Sequence, residues 1–62
     1  MKRYRLTFEI FLTEKEARSR CDRENAAATA YIRKNKPAHY TPQYKPGTNN
    51  TIIDYYIAWY YY

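Results

Sequence analysis

Six of the last eight residues are aromatic, Tyr55, Tyr56, Trp59, Tyr60, Tyr61 and Tyr62, interrupted only by Ile57 and Ala58. Aromatic and β-branched residues suit a pleated, half-buried surface, so the tract reads as a strand. Successive strand side chains point to opposite sides of a sheet, which makes both faces of this strand aromatic. A chain of 62 residues forms one domain, residues 1–62, and at that size buries only about 60% of its unfolded surface. It has one small core, which can cover one of the two faces. The other is left over, and any function has to be sought there.

The usual staples of so small a domain are missing. A single cysteine, Cys21, allows no internal disulfide, and there are no Cys/His pairs at metal-ligand spacing. No cofactor or metal is expected, and a reducing cytoplasm suits the free thiol. The segment from Lys2 to Phe8 alternates polar with apolar residues, unlike a secretory signal. The apolar run from Tyr55 to Tyr62 is far shorter than the roughly 20 residues of a membrane span. The expectation is a soluble, cytoplasmic protein with no membrane partner.

Local signals give an order of elements. Residues 3–12 alternate, with Tyr4, Leu6, Phe8, Ile10 and Leu12 on one side and Arg3, Arg5, Thr7, Glu9 and Phe11 on the other, which is a half-buried strand. Thr13 and Glu16 form a capping box that starts a helix, and Pro37 ends it near Lys34. Ala17, Cys21, Ala28, Tyr31 and Ile32 make its apolar stripe, flawed at Glu24 and Asn25. Either the helix bends at that flaw, or one of the two side chains is buried and bonded. Residues 39–44 have strand composition, but Pro42 has no ladder donor and restricts them to an edge or an irregular arm. Pro46, Gly47, Asn49 and Asn50 are turn residues, and residues 51–62 form the last strand. The fold class is α+β: β-α-β-β, a small, mainly antiparallel three-stranded sheet with one helix on one face. Mostly small helix residues against large sheet residues suggest Ile53, Tyr55, Ile57, Trp59 and Tyr61 as the helix-facing set. Tyr56, Ala58, Tyr60 and Tyr62 would then be open to solvent beside Arg3, Arg5, Thr7 and Phe11.

The net charge of +5 is unevenly spread. Residues 14–25 carry four acids and four bases, with Glu14-Arg18-Asp22 and Glu16-Arg20-Glu24 at the i,i+4 spacing of a solvated helix surface. The excess lies at Lys2, Arg3 and Arg5, at Arg33, Lys34 and Lys36, and at Lys45. The proposed topology brings the first two clusters to the end of the sheet that carries Trp59 to Tyr62. A structural account also exists for each: cations complement a helix C-terminus, and arginine on an exposed strand discourages aggregation.

Two functions fit such a surface, and the candidate binding residues are Arg3, Arg5, Arg33, Lys34, Lys36, Tyr56, Tyr60 and Tyr62. The first is a protein-interaction module or inhibitor, since Tyr and Arg dominate interface hot spots. Short basic chains rich in Tyr, Asn, Lys and Ile are typical of phages and mobile elements of low-GC bacteria, and some of these proteins dock on a host protein. The alternative is single-stranded RNA or DNA binding, with rings stacking on bases and cations holding phosphates. No RNA-recognition octapeptide, GXXG loop or helix-turn-helix pattern is present. A homodimer through an edge strand, such as the last strand, is a further option. Enzymatic activity is not expected. His39 lies alone in a Pro-rich segment, Cys21 belongs to the inner stripe, and Glu9 and Asp54 suit pairing with Arg5 or Lys45 better than acid–base work.

Overall fold

A computed structural model describes residues 4–62. Its elements are β1 (Leu6–Phe11), α1 (Glu14–Ala27), α2 (Ala30–Asn35), β2 (His39–Tyr44) and β3 (Ile53–Tyr61). The sheet order is β1-β3-β2 and both pairings are antiparallel, so the expected α+β architecture is the one formed. The last strand is central. Hydrogen-bonded on both sides over its middle, β3 is the central strand, not the exposed edge expected of it, and the edges are β1 and β2. β2 is an edge strand, as Pro42 requires.

The capping residues act as their chemistry dictates. The Glu16 N–H donates to Thr13 Oγ1 at 3.3 Å, and the Thr13 hydroxyl donates to the Glu16 carboxylate at 2.8 Å. Between β2 and β3, left-handed backbone falls at Gly47, Asn49 and Asn50, residue types that tolerate it at least cost. The Lys45 N–H donates to the Ile52 carbonyl at 2.8 Å and closes the loop.

The single expected helix is two. Ala28 is extended and Thr29 begins α2, its hydroxyl accepting from the Ile32 N–H at 3.4 Å. The helix runs on through Glu24 and Asn25 and breaks at Ala28, and of the two flawed positions Asn25 is bonded but only part-buried. Just beyond these residues the chain bends, and Asn25 clasps the backbone ahead of β2: the Ala38 N–H donates to Asn25 Oδ1 at 2.7 Å, and Asn25 Nδ2 donates to the Ala38 carbonyl at 3.3 Å. Arg33 donates to the carbonyls of Asn25 (3.1 Å) and Ala28 (2.9 Å), satisfying acceptors that a helix end would leave orphaned.

The face assignment is inverted. The grouping of Thr7 and Phe11 with Tyr56, Ala58 and Tyr60 holds, because Thr7 pairs with Tyr60 and Phe11 with Tyr56. That group lies under the helix instead of in solvent. Ala58 is 0% exposed, as is Ala17, and Cys21 and Ile32 are also buried. α1 touches β3 more than either other strand. Small residues meet a small residue, so the helix comes close along Ala58, while the larger Tyr56 and Tyr60 stand to either side. Leu6, Phe8 and Ile10, expected in the core, are 52%, 53% and 56% exposed.

Candidate functional site

Under α1 the sheet face is polar at its margins. Arg20 Nη2 lies 2.6 Å from Glu9 Oε1 and donates to the Tyr60 hydroxyl at 3.4 Å, and that hydroxyl donates to Glu9 Oε1 at 2.8 Å. Arg20 Nε stands 3.2 Å from Glu24 Oε1 without hydrogen-bond alignment. Glu9 therefore pairs with Arg20, not with Arg5 or Lys45, and Arg20 turns inward from the solvated ladder. On the other flank the Tyr40 hydroxyl donates to Glu14 Oε1 at 3.0 Å, and the Tyr40 ring meets Tyr56 edge-on at 6.3 Å.

These contacts give the tyrosines a signature at alkaline pH. The hydrogen bond from Arg20 lowers the pKa of Tyr60, but burial and the bond to Glu9 outweigh it and hold the phenol above its ordinary value. Its bond to Glu14, followed by burial, raises Tyr40 in the same direction. A pKa raised by folding contributes stability that is full below the unfolded phenol value, about 10, and is lost as pH rises through the folded value. The stability gap between wild type and Tyr60→Phe is expected to be widest below about pH 10 and to narrow above it. Denaturant midpoints between neutral and strongly alkaline pH check this; a constant gap contradicts it.

Cys21 lies at the helix–sheet contact, where burial first, and then the Asp22 and Glu24 carboxylates, push the thiol above its ordinary range. The group is protonated at neutral pH, which suits packing. No three His, Cys, Asp or Glu side chains among the described residues are grouped to hold a metal. Among the described residues no helix is long and apolar enough to cross a membrane. An open cleft of about 500 Å³ beside α1 is lined by Phe11, Lys15, Glu16, Ser19, Arg20 and Arg23, a mixture of both charges in which Arg20 is already paired.

The opposite face of the sheet is different in kind. Leu6, Phe8 and Ile10 of β1 stand beside Tyr61, Trp59 and Ile57 of β3, and Tyr55 continues the row. Phe8 and Trp59 are in ring contact, 5.5 Å between centroids and tilted by 43°. On the β2 side Trp59 Nε1 donates to Thr41 Oγ1 at 3.0 Å. The indole contacts both neighbouring strands, toward the end of the face that carries Tyr61. Lys36 Nζ lies 4.8 Å from the Tyr61 ring centroid and caps one end. No lysine or arginine occurs in any of the three strands, and Glu9, turned to the helix, and Asp54 are their only acids.

A search of family models, curated proteins and solved structures found no similar protein. The site therefore stands on its own geometry.

The candidate binding residues of the sequence reading disperse over this frame. Arg3 lies outside the described residues, as does Lys2. Arg5 is exposed at the sheet end, its backbone paired with Tyr62. Arg33 is engaged by the carbonyls at the helix break, Lys34 is exposed in the last turn of α2, and Lys36 lies on Tyr61. Tyr56 and Tyr60 contact groups on the helix side, and Tyr62 is exposed at the chain end. Arg5, Lys36, Tyr61 and Tyr62 do meet at one end of the sheet. The residues missed are those assigned to the core: Leu6, Phe8, Ile10, Tyr55, Ile57, Trp59 and Tyr61. Ala58 was the available signal, because it is the one small side chain in β3 and matches the small stripe of α1.

Proposed function

We propose that this is a non-enzymatic binding protein whose open sheet face docks on protein surface. One observation carries the reading: a contiguous aromatic and aliphatic face, with Trp59 contacted from both neighbouring strands, takes no lysine or arginine from its three strands and meets a cation only where Lys36 caps Tyr61. Exposed apolar patches of this extent mark interaction sites. A tryptophan packed within such a patch has the character of a hot spot.

Single-stranded nucleic acid is the weaker fit. Phe8, Trp59 and Tyr61 could serve as stacking platforms, but phosphates need cations beside the rings. Of the cations in the original reading, only Lys36 touches a ring of this face.

Trp59 is the only tryptophan and reports directly on the face. Titration with mixed-sequence single-stranded RNA and DNA at low salt is expected to leave its emission unchanged at tens of micromolar protein; salt-sensitive quenching would transfer the assignment to nucleic acid. A photo-crosslinking residue at position 10, inside cells, is expected to give discrete protein adducts, and the same residue at position 18 on the helix exterior is not. Equal labelling at both positions, or none at position 10, defeats the docking reading.

A further inference from the structure

Resting on the docking reading, we infer that the occupant of the open face is a second copy of this chain, packed sheet to sheet, with the two helical layers outermost. Three independent observations lead there. The first is where the apolar mass lies. Under the helix the buried apolar residues are Ala17, Cys21, Ile32 and Ala58, and no large side chain among the described residues is fully buried. Phe8, Ile10, Ile57 and Trp59 are all on the other side. A domain of this size draws little stability from one core, so the cover has to be present whenever the chain folds. A second copy is the partner that synthesis of this chain itself supplies.

The second observation is area. Half-exposed side chains such as Leu6, Phe8 and Ile10 each offer on the order of 100 Å². With the partly exposed Tyr55, Ile57, Trp59, Tyr61 and the flanking Thr41 and Gln43, the face offers on the order of 500 Å². A standard interface takes about 800 Å² from each partner, and this contact lies at the small end of the range. Stacked sheets sit about 10 Å apart with interdigitated side chains, an arrangement open to a face relieved by Phe8 and Trp59.

The third is charge. A chain of net charge +5 repels its copy unless its cations stay away from the contact. Among the described residues the strands contain none, Lys36 reaches the face only at its Tyr61 end, and the charges of α1 lie on the other side of the sheet. An isologous contact sets each patch against itself, and strands without lysine or arginine keep the like-charge cost of doing so to Lys36 at one end.

Sedimentation equilibrium of the full chain tests the inference. The expected species is twice the 7.6 kDa chain mass at micromolar concentration. Ile10→Glu and Phe8→Glu should each raise the dissociation constant about 100-fold or more, while Ser19→Glu on the helix exterior leaves it unchanged. Should the face variants fail to fold, wild type still decides: its urea midpoint rises with protein concentration for a dimer, and a concentration-independent midpoint overturns the proposal. A monomer at 100-fold higher concentration overturns it as well. Crosslinking from position 10 then separates the two claims. An adduct with a different protein leaves docking standing and removes self-association; a monomer without adducts removes both.

Discussion

Ala58→Leu is expected to remove most of the protein's stability at 25 °C. Ala58 and Ala17 are both fully buried where α1 crosses the middle of β3, and their small side chains are what let the helix lie close. Inserting a larger side chain into a packed contact typically costs about 1–3 kcal/mol. A domain of this size rarely holds more than about 3–5 kcal/mol in its core. The helix would have to lift, separating Arg20 from Glu9 and Tyr60 as it went, so the upper end of the range applies. Urea denaturation followed by far-ultraviolet circular dichroism measures the loss, and Ser19→Leu on the helix exterior should stay within about 0.5 kcal/mol of wild type. A well-tolerated Ala58→Leu would mean that the helix covers the other alternate set, Ile57 and Trp59, as side-chain volume alone suggests.

The second large effect is expected at Asn25. Its side chain receives the Ala38 N–H and donates to the Ala38 carbonyl, tying the end of α1 to the start of β2 across the break. Asn25→Ala leaves both backbone groups without a partner at a part-buried position. Each orphaned group costs about 1–3 kcal/mol when buried, and at this part-buried position the lower part of the summed range, about 2–4 kcal/mol, is expected. Asn25→Asp keeps the acceptor, loses the donor and should fall between the two. The denaturant midpoint reports the energy, and faster amide exchange at Ala38 reports the mechanism. Unchanged exchange at Ala38 would show that other contacts hold this junction.

Much of the fold was legible because its signals are local. Thr13 and Glu16 mark a helix start, Pro42 an edge strand, and Gly47 with the two asparagines a loop that returns the chain. The helix break was harder to see, because Ala28, Tyr31 and Ile32 continue the helical period through it. What ends α1 there is tertiary: Asn25 bonded to Ala38 and Arg33 to the freed carbonyls. The side of the sheet was misread for a physical reason. Both alternate sets of β3 are apolar, so hydropathy cannot choose between them, and ranking by size selects Ile57 and Trp59. The helix chooses by distance instead, and its inner stripe of Ala17, Arg20, Cys21 and Glu24 needs a small residue to approach and hydroxyls to bond. Ala58 meets the first need and the Tyr60 hydroxyl the second. The candidate site moved with that choice, from tyrosines and arginines to Phe8, Ile10 and Trp59.

The strand order also governs when structure can appear. β1 and β2 do not pair with each other, and each finds its only partner in β3, which follows both along the chain. During synthesis, at roughly 5–20 residues per second, β1 emerges with its apolar row and waits seconds with no strand to join. The β2–β3 hairpin can close first across its short loop, and the β1–β3 ladder, which joins the two ends of the described chain, closes last and against the larger entropy. Leu6, Phe8 and Ile10 are thus made well before their partners in β3 and are the last of the sheet to be ordered. A ribosome-bound chain stalled before β3 should resist no protease, and protection should arrive in one step once β3 is free.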